Sequence, residues 1–256
     1  IIKVYFQFKD FNKEVEKEFF EYLKTIKEAA WVVSCSGRWD ALVAFWSRSS
    51  FHFHEYFIKI LNRFSKHILH KEIVYNIVWF YYNRKWLMKE YTTPLAIRYG
   101  GEPGQYELDS TDAEILKMLA KNSRMPVVDI AKRIDQSSQN VINRMKKLEK
   151  DGIITKYSLN IDYKKIGYVF CKTFIYLRNI TQKRLDELYK YCAAQPNIFA
   201  LVTTAAAWDL GLEFEVENFE QMTEIMDSIR MKFSDIITNY ESVIITKQSE
   251  LNYIVE

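Results

Sequence analysis

The chain has 256 residues, nearly half of them apolar, with 36 Lys and Arg against 33 Asp and Glu. That length suits two or three domains, and the apolar share excludes an intrinsically disordered chain. No apolar run is long enough to span a membrane, and no signal peptide is expected. The three cysteines, Cys35, Cys171 and Cys192, lack metal-ligand spacing, which points to core thiols in a reducing cytoplasm. The charge is unevenly spread: net +5 over residues 1–90, −1 over 91–107, +4 over 108–167 and −5 over 168–256.

The chain opens without Met on "IIKVYFQF", a β-branched and aromatic strand, and reads as part of a longer protein. "FNKEVEKEFFEYLKTIKE" repeats Val15, Phe19, Leu23 and Ile26 at helical spacing. "WVVSCSGRWDALVAFW" predicts two strands around a turn at Gly37. "FHFHEYFIKILNRFSKHI" predicts a helix burying Phe53, Phe57, Ile60 and Phe64, and "KEIVYNIVWFYYN" a last strand. A βαββαβ order is that of the ferredoxin-like split βαβ unit, placed over residues 1–90. His52, His54, His67 and His70 lack a third ligand nearby and read as surface histidines, so no metal site is expected. The aromatics of "VWFYYNRKW" suit an oligomerising sheet better than base stacking.

Three glycines and two prolines crowd "TTPLAIRYGGEPGQYEL", which predicts a linker over residues 91–107. In the next segment, 108–167, Ser110 or Thr111 can cap a helix holding Ile115, Leu116 and Leu119. Pro126 opens a second helix with Ile130, Ala131 and Ile134. A tight turn at Asp135–Gln136 precedes a third, capped by Ser137 or Ser138, with Val141, Ile142, Met145 and Leu148 inward. Gly152 stops it and "IITKYSLNI" is expected to run on as a strand. Three short helices and a strand make a winged helix-turn-helix.

Over residues 168–256 the βαββαβ order returns. At an offset of 169, residues 3–49 align without a gap on 172–218, pairing Lys3 with Lys172, Val33 with Val202, Trp39 with Trp208 and Asp40 with Asp209. This reads as an internal duplication. The expected fold is therefore α+β, two ferredoxin-like βαββαβ domains flanking a winged helix-turn-helix.

The pattern "LDSTDAEIL…DIAKRI…RMKKLEKDGII" resembles the Lrp/AsnC (feast/famine) family of transcription regulators. The resemblance implies a DNA-binding winged helix-turn-helix joined to an effector-binding, oligomerising domain called RAM. Residues 108–256 resemble one complete copy, and residues 1–90 a second RAM domain. The family's turn is Gly-Leu where this chain has Asp135 and Gln136; Asp tolerates left-handed backbone, but Gln136 forgoes an apolar anchor. The family's hairpin signature Gly-x-x-Asp survives as Gly37, Arg38, Trp39, Asp40. In the second repeat it becomes Ala206, Ala207, Trp208, Asp209.

Candidate DNA contacts are Ser137, Ser138, Gln139, Asn140, Asn143, Arg144 and Lys147, on or near the outward face of the third helix. Arg can fork onto guanine, Asn or Gln onto adenine, and Ser or Lys can hold phosphate. The plainer reading of the same face is a solvated amphipathic helix. Candidate effector contacts are Gly37, Arg38, Trp39, Asp40 and Asp209, where a carboxylate could accept an amino acid's ammonium. The alternative is a turn-capping Asp. No catalytic motif is present, and no cofactor is expected. The resemblance implies a cytoplasmic regulator whose partners are double-stranded DNA, a small effector and further copies of itself. Sirohaem decarboxylases resemble the same family, which leaves a tetrapyrrole enzyme as one rival; a non-DNA-binding assembly module is the other.

Overall fold

The computed structural model describes residues 1–9, 12–87, 96–101 and 106–249. In chain order its elements begin with β1 (Ile2–Phe8), α1 (Lys13–Leu23), β2 (Ala29–Gly37), β3 (Ala41–Phe45), α2 (Ser50–Phe64) and β4 (Ile68–Tyr82). A 3-10 turn at Lys85–Leu87 precedes β5 (Ala96–Gly100). Three helices follow: α3 (Ser110–Lys121), α4 (Val127–Arg133) and α5 (Ser138–Lys150). The remainder is α6 (Tyr163–Ile166), β6 (Val169–Leu177), α7 (Gln182–Ala194), β7 (Ile198–Ala205), β8 (Leu210–Val216), α8 (Phe219–Lys232) and β9 (Ile237–Gln248). The described residues divide into two compact units. One holds those up to Gly101 and those from Asp162 on; the other holds those between.

In the first unit nine strands form one sheet in the order β1-β3-β2-β9-β6-β8-β7-β4-β5, and β1 also pairs with β4. Eight strands thus close into a ring, with β5 added to β4. The α+β class expected from the sequence holds, but the two βαββαβ segments share one closed sheet and are not two flanking domains. Each βαββαβ half supplies four strands, β2-β3-β1-β4 and β7-β8-β6-β9, and each four-stranded sheet has two open edges. Unpaired edge amides and carbonyls seek partners, and here the edges answer one another, β2 on β9 and β4 on β7. The segment read as a linker contains β5, whose Ala96–Gly100 pair with Tyr82–Val78; its residues 91–95 and 102–105 lie outside the described residues.

The 169-residue offset holds in space. Lys3 faces Ala44 across β1–β3, and Lys172 faces Glu213 across β6–β8. Register shifts fall at Gln7/Phe8 and at Tyr176/Leu177. The helix caps repeat as well: Asn12 and Thr181 cap α1 and α7, and Ser49 and Asn218 cap α2 and α8.

Alternation along the strands sends residues to two faces. Phe6 and Phe45 pack with Phe19, Phe57, Ile60 and Phe64 of α1 and α2, while Leu212 and Phe214 pack with Leu188, Met226, Ile229 and Phe233 on the other half. The opposite strand face supplies a third core, with Tyr5, Trp31, Trp39, Phe174, Phe199, Trp208 and Val243. Burying such a side chain contributes about 1.5–3 kcal/mol. The "VWFYY" run lies on the β4–β7 seam, Val78 to Tyr81 opposite Thr203 to Ala200. Trp79 and Tyr81 join the third core, and Phe80 packs 5.7 Å from the Tyr189 ring.

In the second unit Ile115, Met118, Leu119, Ile130, Ala131, Val141 and Leu148 form the core. Asp109, rather than Ser110 or Thr111, caps α3, and Pro126 stands at the cap position of α4 rather than inside it. Gly152 ends the third helix with φ +72°. The strand expected over residues 153–161 does not form. The unit offers no second strand among its described residues, and a lone strand leaves its ladder groups unanswered. Ile153 and Ile154 instead give their amides to the Leu148 carbonyl and pack on the helices.

Candidate nucleic-acid interface and effector hairpins

The α4–α5 turn is built on Asp135, which takes the left-handed conformation at φ +51°. Gln136 donates its amide to the Ala131 carbonyl at 2.9 Å, and its side-chain oxygen accepts from Asn140 Nδ2 at 2.6 Å. A polar residue therefore ties the turn to the first turn of α5, in place of an apolar anchor. Ser137 caps α5 by accepting from the Asn140 amide at 3.1 Å.

Along α5, Gln139, Asn143 and Lys147 are exposed and spaced four residues apart, while Ser138 and Asn140 are half-buried. Gln139 Nε2 donates to Asn143 Oδ1 at 3.1 Å, so two amide side chains stand together on one outer stripe. Lys147 Nζ lies 6.0 Å from the Tyr106 ring centroid.

Arg144 is placed differently from what helical periodicity predicts. Its Nη1 donates to Asp109 Oδ2 at 2.6 Å and to Asp112 Oδ1 at 2.8 Å, and its side chain is 28% exposed. The two carboxylates raise the guanidinium pKa, and the Asp112 amide with Arg144 holds the Asp109 carboxyl below its usual range. Arg144 thereby joins α5 to the N-terminus of α3.

The two hairpins share one construction. Asp40 Oδ2 accepts from the Phe8 amide at 2.7 Å, and Asp209 Oδ2 from the Leu177 amide at 2.7 Å. Asp40 N donates to Phe6 O, and Asp209 N to Ile175 O. Each aspartate thus fastens its hairpin to the end of the neighbouring strand. Trp39 and Trp208 are buried, beside Tyr5 at centroid distances of 5.8 and 5.0 Å. Gly37 has φ +133°, and a Cβ there would meet the Ser242 carbonyl at 3.0 Å. The exposed charged member is Arg38, whose Nη1 reaches Glu241 at 2.6 Å and the Tyr176 hydroxyl at 3.2 Å.

The sequence reading missed two buried polar groupings. Lys3, Lys172 and Glu213 meet inside the ring, and the Glu215 carboxylate accepts from Arg84, Trp86 and Tyr163. The signal for the first was a lysine in the middle of each apolar run, "IIKVYF" and "VFCKTF". Among the described residues no cluster of three or more His, Cys, Asp or Glu could hold a metal, and no helix is long and apolar enough to cross a membrane.

Against known proteins, the winged helix-turn-helix DNA-binding family matches residues 108–155. The transcriptional regulator LrpC of Bacillus subtilis is 30% identical over 122 residues, covering 47% of this chain and 83% of LrpC. The chain belongs to the Lrp/AsnC family of transcription regulators. LrpB of Bacillus subtilis is 28% identical over 147 residues, covering 57% of this chain and 94% of LrpB. A solved AsnC-family regulator from Agrobacterium tumefaciens shares the fold, with a TM-score of 0.52 at 20% identity over 58% of this chain and 97% of that one. These Lrp/AsnC relatives are thus nearly used up where only about half of this chain is matched.

Proposed function

We propose that this chain is a DNA-binding, non-enzymatic regulator that acts in the cytoplasm, with α5 entering a major groove and a ring-shaped sheet sensing a small effector. The observation that carries the DNA reading is the exposed stripe of Gln139, Asn143 and Lys147 on a capped helix after a tight turn. Gln and Asn can each pair bidentately with adenine, and Lys147 can hold phosphate. Ser137, Ser138 and Asn140 stand at the helix start, where free amides favour a phosphate. Arg144 serves this reading from behind, by fixing α5 on α3.

The register shifts and helix caps that repeat at an offset of 169 residues support a duplication. Residues 1–90 and 168–256 are then two RAM-like, ferredoxin-like halves joined through the segment that carries β5 and a winged helix at 108–167. The effector, an amino acid in the reading the family implies, approaches the hairpin of Gly37, Arg38, Trp39 and Asp40, with Asp209 at the matching place. Of these, Arg38 presents charge to solvent and would meet a carboxylate. Further self-association would use surfaces outside the ring.

The test is binding to DNA selected from a random pool. Gln139→Ala and Asn143→Ala are each expected to lose about 1–3 kcal/mol of discrimination at one base position. Lys147→Ala should weaken all sequences alike and lower the salt slope by about one. Unchanged affinity in the triple variant at low salt would overturn the reading.

A further inference from the structure

Lys3, Lys172 and Glu213 are each no more than 2% exposed. Lys172 Nζ lies 2.7 Å from Glu213 Oε1, and Lys3 Nζ lies 3.6 Å from the same oxygen. Two cations share one carboxylate. Lys3 Nζ makes no hydrogen bond among the described residues and rests 4.8 Å from the centre of the Trp79 ring. The arrangement is lopsided: Lys172 has Glu213 directly opposite on its own half, whereas Lys3 has Ala44 there. The first half depends on the second for its counter-ion.

We propose that this shared carboxylate decides which halves pair. The first half closes a ring with the second half of the same chain, and does not close one with a copy of itself. In a first–first ring, Ala44 would stand wherever Glu213 stands now, leaving two buried ammonium groups with no carboxylate. In a second–second ring the lysines would be answered, but Glu215 would keep the Tyr163 hydroxyl and lose its cation. Its fully buried carboxylate takes Arg84 Nε at 2.7 Å and Trp86 Nε1 at 2.8 Å, both from the segment after β4. The matching position to Arg84 in the repeat is Tyr253, which carries no positive charge. Each homotypic ring therefore buries a charge without its partner, which is far costlier than removing a charged pair altogether. Discrimination of this kind works by penalising the wrong partner.

The test uses the full chain. Glu213→Ala is expected to lower the folding equilibrium constant by roughly a hundred-fold or more, read as an earlier urea midpoint. Adding Ala44→Glu should restore much of that loss, because position 44 lies opposite Lys3. A packing role for Glu213 would not be rescued from the other half. If Glu213→Ala does not fold, the double variant decides alone: folding supports the proposal and failure overturns it. Pair choice is read by engineered disulfides in the otherwise native chain. Ser36 lies opposite Ile244 across β2–β9, so Ser36→Cys with Ile244→Cys should link within one chain. Ser36→Cys with Tyr75→Cys reports a first–first ring, since Tyr75 holds the place in the first half that Ile244 holds in the second. That pair should give no chain-to-chain dimer. A disulfide-linked dimer from it, or no recovery with Ala44→Glu, would overturn the proposal.

Discussion

Lys3 shows how a single buried charge can be set against stability. Burial and the neighbouring Lys172 charge push its pKa well below the ordinary lysine value, and Glu213 offsets this only in part. The Glu213 carboxyl, which burial alone would raise, is held below its usual range by the two ammonium groups. For Lys3 the folded pKa is below the unfolded one. Below about pH 10.4 the unfolded chain therefore binds more protons there, and the stability contribution falls as pH is lowered through that window. Lys3→Met keeps the apolar stem and removes the titration. The variant is expected to be more stable than the native chain at pH 7, with a gap that narrows as pH rises toward 10 by at most about 1.4 kcal/mol per pH unit. Urea unfolding of both proteins at several pH values checks it; a gap independent of pH would mean that Lys3 keeps its proton throughout. The lysines themselves were visible in the sequence as charges inside apolar strands. Their shared partner was not, because Glu213 reaches Lys3 only once the ring has closed.

Elements defined by local chemistry were legible, and those defined by a distant partner were not. The Ser137 cap of α5, the turn at Gly37 and the helix stop at Gly152 depend on a few neighbouring residues, and periodicity with turn chemistry located them, whereas the cap of α3 fell on Asp109 instead of Ser110 or Thr111. The pairing of β5 on β4 depends on an edge 14 to 22 residues earlier, so "AIRYG" read as part of a linker. The reverse happened with residues 153–161, whose composition favours a strand that finds no partner in its unit. In α5, helical spacing gave the directions of Gln139, Asn143 and Lys147, but direction alone could not reveal that Arg144 bends back to Asp109 and Asp112. That clamp leads to a test. Arg144→Ala leaves the buried Asp112 carboxylate without its cation and should lower the melting midpoint of the helical unit by on the order of 5 °C. Hydrogen exchange in α3 and α5 should accelerate together, while Lys147→Ala leaves both unchanged. Equal protection in the two variants would show that the ion pairs do not fix α5.

At the scale of the whole molecule, closure of the ring makes the two βαββαβ halves one cooperative object. Each half contributes both of its sheet edges to the seams, and the interior core draws Tyr5, Trp31 and Trp39 from one half and Phe174, Phe199 and Trp208 from the other. Opening either half alone would expose that core and both seams at once. The residues inserted between the halves weigh little against this, because loop-closure entropy grows only with the logarithm of length. Four cross-half ion pairs among the described residues add direction: Lys3–Glu213, Arg38–Glu241 and Arg84–Glu215 set a first-half cation against a second-half acid, and Lys247–Glu16 runs the other way. This agrees with the +5 and −5 balance of the two segments. Complementary charge of this kind selects partners more than it adds affinity. The expected behaviour is a single unfolding transition for both halves despite their separation in sequence. Native-state hydrogen exchange should give the slowest amides of β1 to β4 and of β6 to β9 one common opening free energy and one common dependence on urea. Amides of α3 to α5, which have their own core, should follow a separate and shallower dependence. Two distinct global openings, one for each βαββαβ half, would show that the seams are contacts between independent domains rather than walls of a single ring.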